Sequence, residues 1–183
     1  MDISEADLSE LMALLEKERI RELLARWTRA ADRADDKGIE DTYTEDSVDN
    51  HGRFMGTGKE FAHRPLRHSA AVISTTHLMG QSIIDLDGDK AYCETYFVCP
   101  EVREFDGEVL YLQIMGRYLD VVRKVDGRWL IESRRVVLDW ASEGPAKPFR
   151  ALNDFPRSKH WPDDEVYNKE SLEWPEYRRW VRD

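Results

Sequence analysis

The chain has no apolar run approaching the roughly 18 residues that a membrane helix requires, so no spanning segment is expected. Its first residues, Met1 to Asp7, are acidic and lack the basic cluster and apolar stretch of a secretory leader. Basic charge is in short supply. Lys and Arg number 27 against 37 Asp and Glu, a formal net charge of -10. Phosphate backbones and anionic bilayers demand basic surface, so neither nucleic acid nor membrane is expected as a partner. Cysteine is scarce as well. Cys93 and Cys99 fall in one apparent strand at even spacing, on one face but too far apart to bond each other. A disulfide framework is not expected, and a reducing, cytoplasmic setting fits better. The chain also lacks a G-x-G-x-x-G turn, a P-loop, a G-x-S-x-G elbow, and HExxH or His-x-His spacing. Its carboxylates are scattered, and neither cysteine has a sequence-near base to activate it. Neither a metal nor a cofactor is expected.

The 183 residues, 41% of them apolar, suit one domain with a single substantial core. Ile20, Leu23, Leu24, Trp27 and Ala31 follow the spacing of one apolar helical stripe, which Leu8, Leu11 and Leu15 extend toward the N-terminus. Ser4 or Ser9 could cap that helix, and it should end within residues 32–37, before Gly38. A short second helix is expected at residues 39–43 and a short strand at 47–51. Glycines 52, 56 and 58 mark a turn around Phe54-Met55. A further helix is expected at 59–70, kinked or split at Pro65.

The period then changes. Residues 72–86, 90–104, 108–124 and 128–140 read as four long strands. Asp87-Gly88, Asp106-Gly107 and Asp126-Gly127 lie between them as hairpin turns. Helices first and an antiparallel meander later define an α+β domain over residues 1–140. Residues 141–183 form a different segment, with five of the seven prolines and three of the six tryptophans (Trp161, Trp174 and Trp180). Aromatics at that density argue for an ordered arm lying over the domain or over a neighbouring subunit.

Among the residues with chemistry, two stand out. Asp32 lies at the edge of the helical stripe, about 100° from its centre, where core gives way to cavity. His77, in Thr75-Thr-His-Leu-Met-Gly-Gln81, should share a strand face with Met79, Gln81 and Ile83. Brought together, the two would make an Asp–His pair in which one ring nitrogen is held and the other accepts a proton. His51 precedes Gly52 at a turn, and Tyr96, Tyr118 and Arg135 lie on the strands. Arg135, by parity with Trp129, would reach a substrate anion or phenolate. His63 and His68 are expected at the surface, and His160 over the cavity mouth.

Four stretches, Ile20–Asp32, Thr75–Gln81, Gly116–Asp120 and Asp126–Ile131, together resemble the SnoaL-like branch of the nuclear transport factor 2 superfamily, a cone-shaped α+β fold. That branch includes polyketide cyclases, scytalone dehydratase, hexachlorocyclohexane dehydrochlorinase and bile-acid dehydratase. Ile20-Arg-Glu-Leu-Leu-Ala-Arg-Trp27-Thr-Arg-Ala-Ala-Asp32 resembles the first-helix segment that ends in the family's catalytic aspartate. Residues 75–81 resemble the strand that carries its catalytic histidine. Gly116-Arg-Tyr-Leu-Asp120 and Asp126-Gly-Arg-Trp-Leu-Ile131 resemble its last hairpin, a structural signature. The likeness covers about residues 10–140 and leaves the tail unmatched.

The resemblance implies an NTF2-like cone: N-terminal helices on a curved, mixed, mainly antiparallel sheet. It implies Asp32 and His77 as catalytic residues and a small molecule as partner. His51, Trp27, Tyr96, Tyr118 and Arg135 become substrate-binding candidates. His51 falls where scytalone dehydratase has a pocket tyrosine, and Trp27 stands where the dehydratases often have a tyrosine. The implied activity is that of a cofactor-independent lyase acting on a small hydroxylated, aromatic or polycyclic molecule, by dehydration or loss of formaldehyde, or else that of an isomerase or cyclase. The superfamily also holds non-catalytic binding or assembly modules and the small subunits of ring-hydroxylating dioxygenases, and these are the alternatives. Pairing through the open sheet face implies a homodimer or homotrimer.

Overall fold

The computed structural model describes residues 3–147 and 157–168. Of the arm, residues 148–156 and 169–183, with Trp174 and Trp180, lie outside them. Helix α1 spans Glu5–Asp32. Ser4 caps it reciprocally: the Asp7 N–H donates to the Ser4 hydroxyl, and the Ser4 N–H donates to the Asp7 carboxylate. The inner half of its stripe, Ile20, Leu23, Leu24, Trp27 and Ala30, is buried in the core. The extension does not bury: Leu8, Leu11 and Leu15 are exposed. Past Arg33 the chain reverses at Ala34, which adopts a positive φ, and enters the short α2, Asp36–Glu40.

Strand β1 (Tyr43–Asn50) leads through β2 (Met55–Gly56) to α3 (Gly58–Ala62). Pro65 ends the helical stretch expected over 59–70, and a single 3₁₀ turn at Pro65–His68 follows the break. The meander is formed by β3 (Val72–Thr75), β4 (Leu78–Asp87), β5 (Lys90–Phe105), β6 (Glu108–Val125) and β7 (Arg128–Pro145). At two of its turns Asp106-Gly107 and Asp126-Gly127 have positive φ at both positions, the type I′ geometry that matches strand twist. The seven strands form one sheet in the order β2-β1-β7-β6-β5-β3, with β4 also on β5. Strand β1 runs parallel to β7, and the remaining pairings are antiparallel. The sheet therefore curves around α1 as a mixed, mainly antiparallel layer.

Three irregularities position the site. The run expected over 72–86 is broken at Thr76-His77: β3 pairs with β5 at residues 101–103, whereas β4 pairs with it at 90–98. His77 is therefore in the gap and not on a strand face with Met79 and Ile83. Strand β7 carries two bulges against β6, at Glu132 and at Asp139. Each inserts one residue and reverses the alternation. The inward set thus reads Trp129 and Ile131, then Arg134, Val136 and Leu138, then Ala141. Strand β7 also runs past Trp140, to Pro145.

Part of the arm packs on its own domain. The Trp161 N–H donates to the Arg33 carbonyl at 2.7 Å, and Asp164 lies 3.7 Å from the Arg33 guanidinium. This brings His160 to the cavity at the end of α1.

Candidate active site

A cavity of about 480 Å³ opens between the end of α1, the segment after β1, α3 with its 3₁₀ turn, and the concave sheet face. That volume is in the range of small-molecule sites, roughly 300–1,000 Å³. Phe61, Phe97, Ile114, Val136 and Leu138 give it apolar walls, and Trp27 and Tyr118 meet edge to face within it.

Asp32 occupies the last turn of α1, where the helix dipole opposes a negative charge. Two donors compensate. The break at Thr76-His77 frees the His77 backbone N–H from the sheet ladder, and it donates to Asp32 Oδ2 at 2.9 Å. The His77 ring places Nδ1 2.6 Å from Asp32 Oδ1. A carboxylate only accepts, so in the neutral ring the proton sits on Nδ1 and Nε2 carries the lone pair. Both side chains are nearly buried and both line the cavity.

A second Asp–His pair stands beside the first. His51 Nδ1 bonds Asp49, which is wholly buried, and Asp49 also accepts from the Tyr43 hydroxyl. The Trp27 indole N–H donates to that hydroxyl at 3.0 Å. Burial holds the Tyr43 phenol well above its ordinary range, so it remains a donor. Burial also lowers the proton affinity of His51, outweighing the opposing pull of Asp49. His51 stacks on Phe61 at 4.3 Å, and both histidine rings pack against Trp27 and Tyr118.

Arg134 supports this floor from behind. Its guanidinium makes two hydrogen bonds to Asp120, at 2.7 and 2.8 Å, with both side chains fully buried. It lies 4.0 Å from the Trp27 ring centre and 4.2 Å from that of Tyr118, a cation–π contact with each ring. Burial alone would lower its proton affinity, but Asp120 holds it raised. Burial raises the Tyr118 phenol, which stays protonated. Burial pushes the Cys99 thiol up to about 12, so this cavity cysteine is no nucleophile at neutral pH.

Of the residues singled out in the sequence, Trp27, Asp32, His51, His77 and Tyr118 line one cavity, with His160 at its edge. Tyr96 and Arg135 do not. Tyr96 is 45% exposed because the inward set of β5 is Phe97, Cys99, Glu101 and Arg103. Arg135 is exposed because the bulge at Glu132 turns Arg134 inward in its place. His63 and His68 are exposed and pair with Asp36, and His63 also with Glu40. The sequence reading missed Tyr43, Asp49, Arg134 and the arginines of the cavity mouth. Asp49 was within reach of a parity argument, two residues from His51 on one strand face.

The curved sheet around α1 is the NTF2-like cone. Residues 12–135 match the model of the SnoaL-like domain, and the chain belongs to that family. The comparison with curated proteins finds no match. Among solved structures, the chain is similar to the hexachlorocyclohexane dehydrochlorinase LinA-type3 from Novosphingobium barchaimii, at 14% identity and a TM-score of 0.67, over 81% of this chain and 99% of that one. It is also similar to a proposed scytalone dehydratase from Novosphingobium aromaticivorans, at 18% identity and a TM-score of 0.62, over 74% and 91%. A third is a protein of unknown function from Mycobacterium tuberculosis, at 26% identity and a TM-score of 0.58, over 69% and 77%. Among the described residues no helix is long and apolar enough to cross a membrane.

Proposed function

We propose that the protein is a lyase in which His77, held by Asp32, is the general base. The observation that carries this is the Asp32–His77 pair, in which Nε2 has no partner among the described residues, in a largely apolar cavity. The folds of a dehydrochlorinase and a proposed dehydratase point the same way. The substrate is a small hydroxylated, aromatic or polycyclic molecule. His77 Nε2 removes a proton, and the released electron pair forms a double bond as the neighbouring C–O bond breaks. The imidazolium then returns the proton to the departing oxygen, so water leaves and the base is restored. The same base could take a primary hydroxyl proton, with C–C cleavage releasing formaldehyde and the remaining carbanion reprotonated. A shift of the double bond without loss of a group would make the same site an isomerase. Every proton moved is held by a side chain of this chain. His51, neutral at rest with Nδ1 engaged by Asp49, accepts from a substrate hydroxyl and orients it. Tyr118 donates to a polarised oxygen.

Positioned base catalysis contributes about 10²–10⁴-fold. The test is a panel of hydroxylated aromatic and steroid-like molecules, followed by the ultraviolet absorbance of a new conjugated double bond. For any molecule turned over, His77→Gln should lose about that factor while melting normally. Turnover undiminished in His77→Gln would refute the assignment.

A further inference from the structure

We propose that the molecule bound in this cavity carries an anionic oxygen, a carboxylate or a phenolate, on an apolar body, and that Arg67, with Arg64 beside it, holds that anion. The inference rests on the same cavity as the lyase reading but concerns binding, not proton transfer.

Its first support is a local reversal of charge. The chain carries -10 overall, yet the cavity wall includes Arg53, Arg64, Arg67 and Arg103. Among the described residues only two carboxylates, Asp32 and Glu101, line the cavity with them, and both are committed. Asp32 holds His77, and Glu101 is paired with Arg103 two residues along β5. Arg64 and Arg67 have no carboxylate within ion-pair distance among the described residues.

The second support is Arg67 itself. Among the described residues its buried Nε has no hydrogen-bond partner, and its one side-chain hydrogen bond is a 3.3 Å contact from Nη2 to the Ala30 carbonyl. The guanidinium lies over Phe61, 5.5 Å from the ring centre, and Arg64 lies over Phe54 and Phe61. Holding a largely desolvated cation with no carboxylate in contact is costly, and an anionic ligand would supply that contact. Burial lowers the proton affinity of Arg67 and Arg64 adds to the effect, outweighing the longer-range pull of Asp36 and, more weakly, of Asp32. Burial likewise lowers His160, with His68, Arg33 and Arg67 contributing further. The mouth is therefore a positive field with donors to spare.

The geometry suits an oxyanion. A guanidinium presents a planar fork of N–H donors that matches a carboxylate in pairs and can converge on a single phenolate oxygen. Phe61, beneath both arginines, continues into the apolar wall toward Phe97 and Ile114, where the rest of the molecule would lie.

Matched probes test this without knowledge of the substrate. Binding of 2-naphthoate is compared with 2-naphthamide, and that of 4-nitrophenolate with 4-nitroanisole, by calorimetry and tryptophan fluorescence. At least one anion should bind about tenfold or more tightly than its neutral counterpart, the scale of one charge-assisted contact. A preference for naphthoate identifies a carboxylate, and one for nitrophenolate identifies a phenolate. Arg67→Gln should remove that preference and leave binding of the neutral probe unchanged, which also shows that the cavity is intact. Arg64→Gln should weaken the preference. His77→Ala should keep it, so loss of turnover and loss of anion binding are separate failures. Equal binding of anion and neutral partner in both pairs overturns the proposal, and so does a preference that survives in Arg67→Gln.

Discussion

Replacing Asp32 by Asn tests the site at its centre, because the two side chains have the same shape and differ in what they can accept. In the native protein one carboxylate oxygen takes the His77 backbone N–H at 2.9 Å and the other faces ring Nδ1 at 2.6 Å. An amide has one accepting oxygen and one donating nitrogen. If the nitrogen faces the backbone N–H, two donors confront each other and neither can change. If it faces the ring, the imidazole can adapt by moving its own proton to Nε2. The second arrangement is therefore the stable one, and it places a proton on the atom proposed as the base. Asp32→Asn should convert neutral His77 from the Nδ1–H to the Nε2–H tautomer. On any substrate that is turned over, kcat should fall by about 10²–10⁴. The corresponding change in the serine-protease triad acts through the same wrong tautomer.

The effect on stability should be small by comparison. Hydrogen bonds to a charged group contribute about 1.5–3 kcal/mol each. Both keep a neutral replacement, and removing an anion from the last turn of α1 returns about 0.3–1 kcal/mol. A net loss of about 1–2 kcal/mol is expected, read from urea unfolding. The tautomer is read from ring ¹⁵N shifts and long-range ¹H–¹⁵N couplings, at a pH where the ring is neutral. A His77 ring that keeps its proton on Nδ1 in Asp32→Asn would refute the reasoning, whatever happened to activity.

Two further predictions concern the second pair. A Cβ added at Gly58 would come within 2.1 Å of the Tyr43 ring, which cannot retreat because its hydroxyl is held by Trp27 and Asp49. Gly58→Ala should cost about 1–3 kcal/mol of stability by urea unfolding and disturb the His51 ring resonances; an unchanged midpoint would show that Tyr43 is not pinned. His51 is kept neutral chiefly by burial, so the folded state binds its proton less readily than the unfolded chain. The stability this residue contributes is complete above the ordinary histidine value of about 6.5 and is lost as pH falls below it. His51→Gln should flatten that part of the stability–pH curve, and a slope below pH 6.5 identical to that of the native protein would exclude His51 as its source.

What the sequence made legible follows from which interactions are periodic. The stripe from Ile20 to Ala31 and the alternating runs between the Asp-Gly turns follow regular repeats, so the helix, the meander and the α+β class are readable. The residues brought into the cavity depend on where that regularity fails. Parity along β7 points to Arg135, but the extra residue at Glu132 hands the inward position to Arg134. Nothing in the local composition marks a bulge there, since Glu132, Ser133 and both arginines are ordinary strand-surface residues. Tyr96 is a different kind of miss. Alternation along β5 is unbroken, and the buried Phe97 already assigns Tyr96 to the outer face. For His77 the irregularity is itself the device. A histidine within a continuous strand would spend its backbone N–H on the ladder or on solvent. The gap between β3 and β4 releases that N–H, and Asp32 receives it together with the ring. The strand break and the aspartate at an electrostatically unfavourable helix end therefore explain each other: each leaves unsatisfied a group that only the other can satisfy.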